Sequence, residues 1–146
     1  MQLINIIAPL FLLAPGLASP LIARAKAPGG PASAKVTVYS SYTCPSATAT
    51  PPADGSAGVF ATVTIAEATC AVLNLPFGGA LTAVLTAPPK TGAGGCAILA
   101  HMDGNCVWRS GNEIHGFAFD GLATGNKVGC GNAPVRGYGA MELLCE

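Results

Sequence analysis

The sequence predicts a small all-β sandwich braced by disulfides, and three observations carry that prediction. Segments that alternate apolar and polar residues recur at roughly 8 to 15 residue spacing, the pattern of short half-buried strands joined by turns. Nineteen glycines and twelve prolines among 146 residues punctuate the chain too often for long helices. Six cysteines, an even number, most simply form three bridges in an oxidising compartment, and this size of core needs such help.

Residues 1 to 23 carry no charged side chain, and Leu3 to Leu13 is almost wholly apolar before Pro15, Gly16, Leu17, Ala18 and Ser19. That reads as a secretory signal over residues 1–18, cut between Ala18 and Ser19. Its apolar core of about 11 residues, interrupted by Asn5 and Pro9, falls short of the roughly 20 that a bilayer span needs. Residues 19–34, SPLIARAKAPGGPASA, have no composition for a packed core and read as a flexible arm or a pro-piece trimmed near Arg24 or Lys26. The β domain is expected over 35–146.

Within it, KVTVYSSYTC sets Val36, Val38 and Ser40 against Thr37, Tyr39 and Ser41, the two-residue period of a strand. VFATVTIAEATC does the same, with Val59, Ala61, Val63 and Ile65 against Phe60, Thr62, Thr64 and Ala66. ALTAVLTA, CAILAHM, CVWRS, EIHGFAF, KVGC and AMELLC follow as further strands. AMELLC and TIAEATC also fit single helical turns, so a minor helical turn is allowed. Asp103-Gly104 signals a tight two-residue hairpin turn after CAILAHM.

The cysteines are Cys44, Cys70, Cys96, Cys106, Cys130 and Cys145, with no C-x-x-C and no histidine at zinc spacing, so metal thiolates are not expected. Six cysteines allow 15 connectivities, and spacing alone leaves them open. A tight turn at Asp103-Gly104 would pair His101 with Cys106 and leave Cys96 about five residues further along its strand. At ~3.3 Å per residue that is roughly 16 Å, beyond the ~4.4 to 6.8 Å between Cα atoms that a bridge spans. Either the turn is not tight or these cysteines have other partners.

Seven basic and seven acidic residues are scattered singly and cancel, which argues against a nucleic-acid partner. With charged residues at 10%, the surface is built from small and weakly polar side chains, which favours contact patches. No Asn-x-Ser/Thr sequon occurs. Catalytic motifs are thin: DGSAG lacks nucleophile-elbow spacing, and Gly92 to Gly95 opens no helix and reads as a loop. RSGNEIHGFAFDG places Glu113 and His115 on one strand face with Phe117, near Arg109. Such a base, acid and phosphate stabiliser resembles the set of secreted fungal ribonucleases of the T1 type, a lesser alternative. His101 and Asp103 read as a surface pair flanking the turn, and Trp108, the single tryptophan, as a core or edge anchor.

VTVYSS, ATVTIAEATCAVLNLP, CAILAHMDGNC and a final cysteine together resemble small secreted fungal proteins with a βγ-crystallin-like Greek-key domain. The matching elements are Val36 to Ser40, Thr69 to Pro76, Cys96 to Cys106, and Cys145. The resemblance implies a disulfide-stabilised Greek-key β-sandwich whose first hairpin folds over. That hairpin favours pairing Cys96 with Cys106, then Cys70 with Cys145, leaving Cys44 with Cys130. The family's calcium run of hard oxygen ligands is replaced by FGGALTAV, where only Thr82 offers a side-chain oxygen, and RGYGAME is no better. No calcium, other metal or cofactor is therefore expected. The implied role is that of a secreted, non-enzymatic, monomeric protein, effector-like or structural, meeting an extracellular protein or a cell-wall partner. A killer-toxin-like or antifungal protein on the same scaffold is the alternative.

Overall fold

A computed structural model describes residues 30–146. The signal segment 1–18, the Ala18/Ser19 cleavage point and residues 19–29 of the arm lie outside the described residues. The order of elements is β1 (Ser33–Tyr39), β2 (Val59–Ala66), β3 (Cys70–Leu75), β4 (Ala80–Ala87), β5 (Cys96–His101), β6 (Ile114–Ala118), β7 (Lys127–Asn132) and β8 (Tyr138–Cys145). All are strands, and every pairing between them is antiparallel. The first sheet runs β2-β1-β4-β7 and the second β3-β8-β5-β6.

These orders describe two Greek keys with exchanged third strands. In β1 to β4 the second, first and fourth strands lie side by side, and the third crosses to the other sheet. In β5 to β8 the same happens, so β3 and β7 change places. The exchange interlocks the two repeats, because each sheet is completed by a strand of the other. Val36, Val38, Ile65, Leu81 and Leu85 of the first sheet meet Leu75, Ile98, Phe117, Met141 and Leu143 of the second in one buried core. Each such side chain contributes about 1.5–3 kcal/mol on leaving water.

The β domain begins earlier than its expected start at Lys35. Ala32 and Ala34 are buried, continuing inward the alternation of Val36 and Val38, and Ser33 Oγ lies 2.6 Å from Thr86 Oγ1. Alanine is small enough to look like arm composition and apolar enough to close the end of a sandwich. No helix occurs among the described residues: TIAEATC ends β2 and opens β3, and AMELLC is the body of β8. The expected strand CVWRS is instead part of the β5–β6 connection.

The covalent links are Cys44–Cys130, Cys70–Cys106 and Cys96–Cys145, with Cα separations of 5.6, 5.7 and 4.1 Å. The expected pairs Cys96 with Cys106 and Cys70 with Cys145 are therefore corrected. Cys96 and Cys145 are register partners on β5 and β8, and both belong to the core between the sheets. Cys70 pairs in register with Glu142 on the opposite, outward face, and Cys106 lies on a connection that crosses that face. A bridge between an inward and an outward cysteine would have to pass through the sheet.

The other two bridges repeat one another. Cys44 lies five residues after the end of β1 and bonds β7; Cys106 lies five residues after the end of β5 and bonds β3. Each ties the first connection of one Greek key to the third strand of the other. A bulge prepares the first of them: Leu81 opposes Gly131 and Ala83 opposes Val128, so Gly129 and Cys130 share one position and Cys130 turns outward.

Candidate functional site

The expected tight turn at Asp103-Gly104 does not form. His101 pairs with Ile114, and the connection between them, residues 102–113, folds back across the outer face of the second sheet. Cys106 fastens it to β3, and Met102 N–H donates to Glu113 O at 2.9 Å to close its base. Gly139 on β8 makes the approach possible, since a side chain there would press on the Asp103 and Gly104 backbone. The physical reason for the mismatch is that long-range fastening of the loop outweighs the local turn preference of Asp-Gly.

Under this loop lies a buried polar group. His101 is 0% and Glu142 1% exposed, both on the outward face of the sheet. Asn112 Nδ2 donates to His101 Nδ1 at 3.3 Å and to the Val107 carbonyl at 2.8 Å, while Asn112 Oδ1 accepts from Asp103 N–H at 3.0 Å. With Nδ1 accepting, His101 Nε2 donates to Glu142 Oε1 at 3.1 Å. The same oxygen accepts from the indole Nε1 of Trp108 at 3.0 Å. Every buried side-chain polar atom among the described residues has a partner, which is what such a group needs to be tolerated.

The consequence is at the surface. Trp108 is 60% exposed, neither core nor edge, yet its ring is held by a carboxylate that water does not reach. Its edge meets the His101 ring at a centroid distance of 6.1 Å. Val107 beside it and Val72, two residues along β3 from Cys70, are also exposed. The surface pair expected of His101 and Asp103 is thereby corrected: His101 is buried beneath the loop, while Asp103, on the loop itself, accepts from Arg109 Nε at 3.1 Å, with a second contact from Arg109 Nη2.

Arg109 is thereby removed from the Glu113/His115 group that the sequence placed it near. Glu113 instead faces Arg136 Nε at 3.1 Å and the Tyr138 hydroxyl at 3.5 Å. His115 packs edge-on against Phe117 at 4.8 Å and lies 6.3 Å from the Tyr138 ring. Arg136 and Tyr138 come from RGYG, a run the sequence offered only as a poor calcium stretch; their two-residue spacing beside a glycine turn was the available signal. Burial raises the Tyr138 hydroxyl above its ordinary value of 10.0, and the Glu113 carboxylate adds to the effect. The stability this confers is complete below pH 10, where both folded and unfolded phenols are protonated, and is lost as pH climbs through the folded value. Tyr138→Phe is expected to flatten that alkaline fall in a pH series of urea unfolding.

His101, Cys106 and Glu142 bring potential ligand atoms within 4.8 Å of one another. The Cys106 sulfur is committed to Cys70, so the group offers an ion two ligands, fewer than the three that catalytic zinc sites supply. No family model, curated protein or solved structure matches the chain. Among the described residues no helix is long and apolar enough to cross a membrane.

Proposed function

We propose that this chain is a secreted, non-enzymatic, effector-like binding protein that recognises an extracellular protein or a cell-wall component through the Trp108 surface. One observation carries the reading: an exposed indole is fixed in place by a buried carboxylate. Burying Glu142 and His101 costs solvation that an apolar pair would not, and the visible return is a rigid aromatic between its chain neighbours Val107 and Arg109. Tryptophan and arginine dominate binding hot spots, and a side chain already ordered loses little freedom on contact. The three bridges and the signal-like segment support an extracellular setting. The two interlocked Greek keys support the resemblance on which the effector-like reading rests.

Isolated cell walls and cross-linked extracellular proteins provide the test, with wild type and Trp108→Ala compared side by side. Wild type should be retained and the variant should lose roughly thirtyfold, the scale of a hot-spot residue. Its melting temperature should stay within a few degrees, because the indole is mostly in water. Equal retention of the two proteins would remove the reading. Inhibition of yeast growth by the pure protein would favour the antifungal alternative, and RNA cleavage that His115→Ala abolishes would favour an enzyme.

A further inference from the structure

On the opposite side of the molecule, a cleft of about 590 Å³ opens over the outer face of the first sheet. We infer that it binds a neutral oligosaccharide segment, a site separate from the Trp108 surface. Its floor is the outward face of β4 and β7 around Thr82 and Gly129. One wall is the connection from β1 to β2, through Thr48 and Thr50, and the other is the chain leaving β6, at Ala118 and Phe119; Tyr39 also lines the cleft.

The cleft is preformed. Cys44–Cys130 fastens its first wall, Cys130 N–H donates to the Ala47 carbonyl at 2.8 Å, and Asn132 bonds both the N–H and the carbonyl of Cys44. Gly129 is required for that seat, because a side chain there would run into the Ala47 carbonyl. The wall therefore needs no ordering when a ligand arrives, and the volume lies within the ~300–1,000 Å³ of small-molecule sites.

The lining chooses the ligand class. Two partly buried aromatic side chains, Tyr39 and Phe119, give the lining apolar surface of the kind that meets the apolar side of a pyranose, and three threonine hydroxyls donate and accept as sugar hydroxyls do. The lining carries one charge of each sign, Asp120 and Lys127, and Asp120 Oδ1 is held by the backbone N–H of Lys127 at 2.7 Å and by Asn126 Nδ2 at 3.0 Å. One acid and one base leave the lining without net charge to attract an anion, which disfavours phosphate or sulfate esters.

Amide NMR titrations with laminarihexaose, chitohexaose and mannohexaose test the inference. Saturable shifts at Thr50, Thr82 and Lys127 with a Kd below about 1 mM are expected for at least one of the three. Thr50→Val/Thr82→Val should weaken that binding at least tenfold, while Trp108→Ala should leave it unchanged. Thr50→Val alone, on an exposed loop, serves if the double variant does not fold. The absence of saturable shifts at millimolar sugar, binding that survives the threonine variants, or binding restricted to sulfated oligosaccharides would each overturn it. Because Trp108 lies on the connection over the other sheet, failure here and failure of the Trp108 reading are separate results.

Discussion

Glu142→Ala is expected to lower the unfolding free energy by about 1–3 kcal/mol, the cost of leaving a buried donor without its acceptor. Glu142 is 1% exposed, and its Oε1 accepts from both His101 and Trp108. Without it the Trp108 N–H can turn to water, but His101, at 0% exposure, keeps a donor with no acceptor. Asn112, held through the His101 ring, then loses its grip on Asp103 and Val107, so the effect spreads along the loop. Urea unfolding measures the cost, and the single indole reports the loop, since its emission should shift toward that of free tryptophan. The double variant His101→Leu/Glu142→Leu should recover most of the stability, because it removes both polar partners together. It should not recover a fixed Trp108, and that separation distinguishes a fold-holding group from a surface-positioning one. A cost below about 1 kcal/mol for Glu142→Ala would show that the carboxylate is not the anchor.

Legibility of the fold in the sequence followed exposure. β1 and β2 stood out because one face of each meets the core and the other meets water, so Val36, Val38, Val63 and Ile65 alternate with lysine and threonine. β8 was ambiguous with a helical turn for the opposite reason. It is central in its sheet, and the 102–113 loop covers its outer face, so Ala140 through Leu143 are buried on both sides and alternation vanishes. Glu142 was the available clue: a lone carboxylate in an apolar run has to find a donor. Cys44 with Cys130 was the expected remainder and is formed, whereas the partners of the other four cysteines were hidden by the exchange of third strands, which brings Cys70 to Cys106 from different repeats. Face, not spacing, decides which cysteines can meet, and face follows from a bulge at Gly129 and Cys130 that no local pattern announces. Of the candidate site, His101, Asp103 and Trp108 could be singled out, whereas their division into buried anchor, surface ion pair and exposed platform depends on the loop's path.

Cys44→Ala/Cys130→Ala should cost about 4–5 kcal/mol on the chain-entropy account, the largest effect of the three bridges because it closes the longest loop, 86 residues apart in sequence. Cys70→Ala/Cys106→Ala, with a separation of 36, should cost about 0.8 kcal/mol less by the same logarithm. The two variants act on equivalent places in the two Greek keys, so their difference isolates loop length more cleanly than an unrelated pair of bridges would. Equal costs, or the reverse order, would mean that strain or unfolded-state structure outweighs chain entropy here. The connectivity behind the comparison is checked by tryptic digestion of the denatured, unreduced protein. Cleavage at Lys35, Lys90, Arg109, Lys127 and Arg136 separates the cysteines into peptides 36–90, 91–109, 128–136 and 137–146. With Cys44–Cys130, Cys70–Cys106 and Cys96–Cys145 formed, all four travel as one covalent mass. A Cys96–Cys106 bridge would instead release 91–109 as a closed peptide of its own, and with it would go the fastening that lets the loop carry Trp108 across the sheet.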